Sequence, residues 1–234
     1  MKIKLPTFTS IQLFFQKLHR EAGHWFFIFL AIIGVVVVLL VNYIVSKRQL
    51  PAVMVKDIPA EVYRTEENYG KLADSLSAVA NIPTSYIKAL IALECSGRKT
   101  FSPRFESRVF TNLQKIRNGQ LTNFGDITQY TIHDASDDAL KNLASSWGPF
   151  QLMGYQCIEL GVKVHDIRGS DALYWGIYWI KKRYGEYLRK RKFKDAFHIH
   201  NTGQPFPVFG NTFTHNPAYV NKGMLYVSCF ELLR

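Results

Sequence analysis

The longest uncharged stretch of the chain places the strongest constraint on its fold. Residues 25–46 (WFFIFLAIIGVVVVLLVNYIVS) comprise 22 residues without a charged side chain, and Asn42 is the only strongly polar one inside the stretch. A helix rises about 1.5 Å per residue, so the stretch is long enough to cross the roughly 30 Å hydrocarbon core of a bilayer. It is longer than a usual signal-peptide core and lacks a small-x-small cleavage site at its end. The sequence therefore predicts a single transmembrane helix over residues 25–46.

The rest of the chain divides around this stretch. Residues 1–24 are expected to form a short N-terminal cytoplasmic segment, and residues 47–60, which contain two prolines, a stalk. Residues 61–234 are long enough to bury a core of their own and are expected to form one domain. Basic residues on the two sides of the apolar stretch nearly balance, so charge alone does not orient it in a membrane.

Apolar residues in this domain recur mainly with a helical period, which predicts a mainly α fold. The predicted helices cover residues 62–80, a segment that ends at Glu94 before Gly97, and residues 155–160, 170–191, 193–200 and 217–233. Between residues 98 and 142, the turn-rich sequences RNGQLTNFGD and HDASDD predict short helices or a small hairpin.

The net charge of +11 is concentrated in one cluster. Residues 181–194 contain eight basic residues and one acidic residue, Glu186. A solvated helix face is the simpler interpretation, and attraction to an anionic polymer or membrane surface is the functional one. No zinc-finger spacing or RNA-binding aromatic signature accompanies the charge, so nucleic acid is not an expected partner. The three cysteines, Cys95, Cys157 and Cys229, are predicted to be buried free thiols.

A single carboxylate ends an otherwise apolar run, ALIALECSG at residues 89–97. Read as a helix, this run places Glu94 on the same face as Ile87, Leu90 and Ile91. A glutamate at a helix end more often reaches water with its carboxylate. Burial would instead raise the pKa of the carboxyl group and make Glu94 a candidate general acid.

Three further stretches belong with this one. SSWGPFQLMG, at residues 145–154, contains two glycines that permit close backbone approach, and Gln151, an amide with donors and an acceptor. HIHNTGQ, at residues 198–204, turns through Asn201 and Gly203, and NPAYVNKG, at residues 216–223, begins a helix that carries Tyr219.

In this order, the four stretches resemble the motifs of lytic transglycosylases and goose-type lysozymes. ASSWGPFQLMG is similar to the family element Ala-x-Gly-x-x-Gln-x-Met, SDALYWGIYWIKKRYGEYL to the helix that follows it, and HNTG to the Tyr-Asn-x-Gly loop. The resemblance covers nearly all of residues 61–234. It implies a mainly α, lysozyme-like fold and cleavage of the β-1,4 bond between N-acetylmuramic acid and N-acetylglucosamine in peptidoglycan, with no cofactor and no metal.

The resemblance also implies roles for individual residues. Glu94 would be the catalytic acid and Tyr219 would point toward it. The residues implied to contact the substrate are Ser145, Trp147, Gln151, Met153, His200, Asn201 and Tyr219. Most of them have a structural alternative: Ser145, Gln151 and Asn201 are also typical of caps and turns, and Tyr219 of a core. Trp175 and Trp179 have the helical spacing of core residues, and HIH does not have the spacing of a helical zinc pair.

Two features depart from the family pattern. His200 stands where the family has tyrosine, and the segment after Glu94, SGRKTFSPRFESRVF, is more similar to that of phage-type N-acetylmuramidases. A hydrolase of that type needs a second carboxylate about 5 to 9.5 Å from the first, whereas the resemblance implies that a lytic transglycosylase needs one. The candidates for a second carboxylate are Glu106, Asp126, Asp134, Asp137 and Asp138.

The favoured interpretation is a single-pass membrane protein with its N-terminus inside and a peptidoglycan-cleaving domain in the periplasm or otherwise outside the cytoplasmic membrane, a virion membrane being a further location. Its expected partners are glycan strands and, through residues 25–46, the lipid bilayer. The alternatives are a hydrolytic muramidase and a non-catalytic wall-binding scaffold of a secretion apparatus or virion.

Overall fold

The computed structural model describes residues 28–40, 58–100, 102–207, 209 and 212–233. The chain forms two compact units, Met1–Met54 and Val55–Arg234. The second unit contains all the residues implied in chemistry and is mainly helical, as the apolar periodicity predicts.

The prediction of a transmembrane helix over residues 25–46 is wrong, and so is the single-pass membrane localisation that depends on it. Among the residues that the structure describes, none of the helices combines the length and the apolar character needed to cross a bilayer. Residues 28–40 are helical and extend only about 20 Å at 1.5 Å per residue. The remainder of the predicted span, residues 25–27 and 41–46, and the predicted segment over residues 1–24 lie outside the described residues.

Ten helices are described in the second unit. In chain order they are α1 (Ala60–Ala80), α2 (Thr84–Cys95), α3 (Ser107–Arg117), α4 (Gln129–Ile132), α5 (Asp137–Leu143), α6 (Gln156–Leu160), α7 (Val164–Arg168), α8 (Ala172–Arg189), α9 (Phe193–Thr202) and α10 (Tyr219–Leu232).

Five short strands lie between α2 and α6 in the described chain. They are β1 (Arg104–Phe105), β2 (Asn123–Phe124), β3 (Ile127–Thr128), β4 (Ser145–Trp147) and β5 (Leu152–Met153). Strands β1, β4 and β5 form an antiparallel sheet in that order, with Arg104 opposite Ser146. Strands β2 and β3 form a separate hairpin, in the region where the turn-rich sequence predicts one.

Helix α2 is the centre of the fold. It packs extensively against α1 on one side and α10 on the other, so every residue from Thr84 to Ala92 is buried. The sequence pattern predicted one apolar face, but the helix is enclosed on nearly all sides, and even Lys88 is buried. Glu94 lies at the end of this enclosed helix.

The C-terminus of α2 is closed by two residues in the left-handed conformation, Ser96 and Gly97. A Cβ atom at Gly97 would lie 2.6 Å from the backbone nitrogen of Thr65, on α1. Only glycine allows this close approach, which explains the position of Gly97 directly after the helix. The contact fixes the end of α2, and with it Glu94, against α1.

The basic cluster at residues 181–194 lies at the end of α8 and the start of α9. Five of its cations make ion pairs with Glu159, Glu186 or Glu231. The cluster thus has the properties of a solvated, partly paired helix face. The three cysteines are free and buried, as predicted.

Candidate active site

Glu94 is an enclosed carboxyl group with little access to water. Its side chain is 16% exposed, and burial raises the pKa of its carboxyl group from 4.5 to about 7. A hydrogen bond from Tyr219 and the charge of Arg104 oppose this shift without cancelling it. In the described part of the chain, no lysine or arginine forms an ion pair with Glu94. The group therefore holds a proton near neutral pH, which a general acid requires.

Tyr219 is the one hydrogen-bond donor that contacts this carboxyl group among the described residues. Its hydroxyl donates to Glu94 Oε1 in a short hydrogen bond. Tyr219 is the first residue of α10 and is buried, so the packing of α10 on α2 sets the contact. Because Oε1 accepts this hydrogen bond, the proton of the acid is favoured on Oε2.

His200 lies beside Glu94 but does not form a hydrogen bond with it. Its Nε2 is 3.8 Å from Glu94 Oε1 and 3.1 Å from the carbonyl oxygen of Phe150, to which it donates. Its Nδ1 lies 2.7 Å from the hydroxyl of Tyr184 and accepts from it. Burial lowers the pKa of the imidazole from 6.5 to about 4. The ring is therefore neutral at pH 7, and no imidazolium charge lowers the pKa of Glu94.

Tyr184 is a site residue that the sequence analysis missed. It is fully buried in α8, and its backbone departs from helical geometry, with φ −147° and ψ 23°. This kink lies next to Gly185 and orients the hydroxyl toward His200, while the hydroxyl of Tyr86 donates to Tyr184 over 3.4 Å. The sequence signal was the Tyr-Gly pair inside a predicted helix, because glycine is a common cause of helix kinks.

The loop between β4 and β5 carries Gln151 in a left-handed conformation, with φ +49°. Its side-chain oxygen accepts a hydrogen bond from Ser146 Oγ at 2.7 Å, and its amide nitrogen donates to the carbonyl of Gly148 at 3.2 Å. A glutamine amide has two N–H groups and two acceptor lone pairs, so one of each remains for a ligand. The side chain is thus fixed in position and still has unused hydrogen-bonding capacity.

The loop is held close to its neighbours by contacts that require glycine. A Cβ atom at Gly154 would lie 2.0 Å from the carbonyl oxygen of Asn142. On the other side, a Cβ at Gly176, on α8, would lie 2.2 Å from the ring of Phe150. The prediction of close backbone approach at the glycines of SSWGPFQLMG is therefore confirmed at Gly154.

Several of these residues line one depression, which we call the Gln151 cleft. Its volume is about 310 Å³. Its walls include Gln151, Met153, Trp179, Arg183, His200 and Asn201. Most of its lining side chains are polar or aromatic. His200 connects the cleft to the acid, because its ring lines the cleft and also lies beside Glu94.

Tyr219, which contacts Glu94, does not line this cleft. Two further residues implied to contact the substrate, Ser145 and Trp147, also lie away from it. Ser145 is buried, and its hydroxyl donates to the carbonyl of Lys141 at the end of α5. The indole N–H of Trp147 donates to the carbonyl of Asn142, and the guanidinium of Arg168 lies over the Trp147 ring. Both side chains have clear structural roles in joining α5, β4 and α7.

The five candidates for a second carboxylate have different surroundings. Glu106, Asp137 and Asp138 form ion pairs with Arg104, Arg117 and Lys141, respectively, and Asp134 is exposed. Asp126 lines a pocket next to the Gln151 cleft. Glu106 has the nearest connection to the acid, because its partner Arg104 is close enough for its charge to lower the pKa of Glu94. Among the described residues, no carboxylate is among the groups that shift the pKa of Glu94.

The first histidine of HIH has a structural role that differs from that of His200. His198 is fully buried, and its Nδ1 lies 2.7 Å from the carbonyl of Gln204, while its Nε2 accepts from the N–H of Phe213 at 3.3 Å. It thus joins Gln204 and Phe213, two points of the segment between α9 and α10. Within the described ranges there is no group of three His, Cys, Asp or Glu side chains suited to a metal ion.

Comparisons with protein-family models, curated proteins and solved structures found no match. The resemblance to lytic transglycosylases therefore rests on the motifs in this chain alone. No related structure supports the lysozyme-like fold. The mainly helical character is observed in the described residues, and the predicted transmembrane helix is not. What the site offers is a protonated, enclosed carboxyl group next to a polar cleft.

Proposed function

We propose that this protein cleaves the β-1,4 bond between N-acetylmuramic acid and N-acetylglucosamine in peptidoglycan, as a lytic transglycosylase. The observation that carries the proposal is the enclosure of Glu94, whose side chain is 16% exposed and forms no ion pair with a lysine or arginine of the described chain. This burial raises the pKa of its carboxyl group to about 7. Cleavage of a glycosidic bond requires a proton donor for the departing oxygen, and a carboxyl group with this pKa supplies one near neutral pH.

The proposed reaction uses one carboxyl group twice. Glu94 transfers its proton to the bridging oxygen as the bond from that oxygen to C1 of the muramyl residue breaks. The resulting carboxylate then takes the proton of the muramyl 6-hydroxyl while that oxygen bonds to C1. The products are a free N-acetylglucosamine end and a 1,6-anhydro muramyl end, and Glu94 is protonated again. No water is consumed.

Two contacts favour this use of Glu94. The Tyr219 hydroxyl donates to Oε1, which leaves Oε2 as the oxygen that carries the transferable proton. His200 is neutral because its pKa is lowered to about 4, and its hydrogen bonds to Phe150 and Tyr184 occupy both ring nitrogens. A neutral neighbour leaves the pKa of Glu94 high, whereas an imidazolium would lower it.

The products of digestion test the proposal. Full-length protein is incubated with purified peptidoglycan sacculi, and the released fragments are analysed by mass spectrometry. We expect fragments with anhydro muramyl ends from the wild type, none from Glu94→Gln, and unchanged release from Glu67→Gln, which alters an exposed carboxylate on α1. Equal release by wild type and Glu94→Gln would remove Glu94 as the catalyst, and no release by either would favour a wall-binding scaffold.

A hydrolytic muramidase is the second candidate, and the Arg104–Glu106 ion pair favours it. Glu106 contacts Arg104 at 2.8 Å, and Arg104 is close enough to influence the pKa of Glu94. A carboxylate in this position would activate a water molecule, so every product would carry added water in place of the anhydro ring. In that case Glu106→Gln would abolish fragment release. Under the favoured one-carboxyl reaction, the same variant keeps the anhydro products.

A further inference from the structure

A second pocket adjoins the Gln151 cleft, and we call it the Asp126 pocket. Its volume is about 190 Å³, and its walls include Asp126, Tyr155, Gln156, Glu159 and Arg183. Three of these residues, Tyr155, Gln156 and Arg183, also line the Gln151 cleft. The two depressions therefore share a wall, and a branched ligand held in the cleft reaches the pocket directly.

The hairpin of β2 and β3 places Asp126 in this pocket. Gly125 and Asp126 form the two-residue turn between the strands, and Gly125 has a positive φ of +59°, as tight hairpin turns require. The ring of Phe124 packs edge-on against Tyr155, with ring centroids 5.4 Å apart. This contact fixes the hairpin against the wall that the pocket shares with the cleft.

The carboxylate of Glu159 is already satisfied by neighbouring groups. Its side chain is 15% exposed and lies 3.5 Å from Lys182 Nζ. The indole N–H of Trp179 also donates to it, at 3.2 Å. Glu159 therefore has little remaining capacity to bind a cationic ligand.

Asp126 and Arg183 are in a different situation. Asp126 is exposed and forms no ion pair within the described part of the chain. Arg183 is about half exposed, and its contact with Glu159 is long, at 3.8 Å. The pocket thus presents one carboxylate and one guanidinium to the same small volume. These groups complement a ligand that carries an ammonium and a carboxylate close together.

We propose that the Asp126 pocket binds the stem peptide of peptidoglycan, through the amino-acid head group at the side-chain end of its diaminopimelate residue. The choice of ligand rests on the proposed function, because a glycan strand in the Gln151 cleft carries its peptide beside the bond to be cut. Asp126 accepts hydrogen bonds from the ammonium group, and Arg183 donates to the carboxylate. The pocket thereby selects peptides whose diaminopimelate side-chain amine is free.

Binding of three free peptides tests the proposal without any cleavage. The probes are the tripeptide alanyl-γ-glutamyl-diaminopimelate, the same peptide acetylated on its free side-chain amine, and the analogue with lysine, which lacks the side-chain carboxylate. Affinities are measured by calorimetry on the full-length Glu94→Gln protein. We expect the diaminopimelate peptide to bind about three- to tenfold more tightly than either of the other two, as for partly exposed charge-assisted hydrogen bonds.

Two substitutions test which charge of the ligand is bound by Asp126 and which by Arg183. Asp126→Asn should abolish the preference over the acetylated peptide, and Arg183→Gln should abolish the preference over the lysine analogue. Glu67→Gln and Lys71→Gln, at exposed positions on α1, are the charge-matched controls and should keep both preferences. Equal affinity for all three peptides, or preferences that survive both substitutions, would overturn the proposal.

The binding test and the digestion test fail independently. Asp126-dependent binding by a protein that releases no wall fragments would support the pocket and remove the catalytic proposal. Fragment release without any preference among the peptides would keep the catalytic proposal and remove the pocket.

Discussion

Helix α2 carries one enclosed lysine, Lys88, and one enclosed glutamate, Glu94, whose surroundings are opposite. The ammonium of Lys88 contacts three carboxylate oxygens, two from Glu66 at 2.8 and 2.9 Å and one from Asp74 at 3.0 Å. Glu94 accepts one hydrogen bond from Tyr219 and pairs with no lysine or arginine in the described chain. One charge is fully compensated and the other is left to be neutralised by a proton.

This difference distinguishes a residue that stabilises the fold from a residue that can donate a proton. A buried charge with a full set of partners stays charged and holds its neighbours in place. For a buried carboxyl group without a cation, the ionised form is unfavourable and the pKa is raised. Such a group still carries a proton near neutral pH and can transfer it. The same helix therefore joins α1 to the core through Lys88 and presents an acid at its end.

The largest expected effect is on cleavage. Glu94→Gln should lower the rate of fragment release by about a hundred- to ten-thousandfold, because the amide has no proton to donate. Lys88→Met should leave the rate within about twofold if the comparison is correct, since Lys88 has a structural role. Both rates are measured as the release of muropeptides, or of a covalently attached dye, from peptidoglycan sacculi. Comparable losses in the two variants would contradict the distinction between the two residues.

The next effect is on stability and depends on pH. The pKa of Glu94 rises from 4.5 to about 7 on folding, so its contribution is fully present below pH 4.5 and is lost as the pH rises through 7. Relative to wild type, Glu94→Gln should gain up to roughly 3 kcal/mol in free energy of unfolding at pH 8 and nothing at pH 4. Urea unfolding at both pH values measures this, and a gain that does not vary with pH would refute it.

Removing the partners of Lys88 should have a smaller effect of opposite sign. The double change Glu66→Gln and Asp74→Asn leaves the ammonium enclosed without a counter-charge and should cost about 2 kcal/mol. Lys88→Met should change stability by less than about 1 kcal/mol, because Glu66 and Asp74 are 44% and 50% exposed and water solvates them. Urea unfolding at pH 7 compares the two. Equal losses in free energy of unfolding would show that Lys88 stabilises the fold through packing and not through its charge.

The smallest effect concerns the one hydrogen bond that Glu94 receives. The Tyr219 hydroxyl lowers the pKa of Glu94, so Tyr219→Phe should raise that pKa further. We expect the alkaline limb of the pH–rate profile to move to higher pH and the maximal rate to fall roughly tenfold, as the acid loses its fixed orientation. Rates of fragment release between pH 5 and 9 test this. A limb that moves to lower pH would contradict the assigned role.

Much of the acid's immediate surroundings could be predicted from the sequence. The apolar neighbours of Glu94 and the turn at Gly97 follow from local spacing, and Tyr219 followed from the family resemblance. The enclosure of Lys88 could not be predicted, because α1 and α10 cover the side of α2 that the helical pattern leaves polar. The hydroxyl of Tyr184 was also missed, since it reaches His200 only through a backbone kink in α8.

Local pattern and three-dimensional position also differ elsewhere in the chain. Ser145 and Gln151 belong to one motif, yet Gln151 lines the cleft and Ser145 donates to the end of α5. Alternation in the strand and the turn at Gly148 send the two side chains in different directions. The transmembrane prediction used the length of an apolar stretch, and among the described residues that stretch does not form a helix long enough to cross a bilayer.

Phe150 connects α8, α9 and the loop that carries Gln151. Its ring fills the space above Gly176 on α8, its carbonyl oxygen accepts a hydrogen bond from His200 on α9, and the next residue is Gln151. The two walls of the Gln151 cleft are therefore tied together without a ligand. A cleft of fixed width loses little conformational entropy when a ligand binds, so its shape is set in advance and favours ligands that fit it.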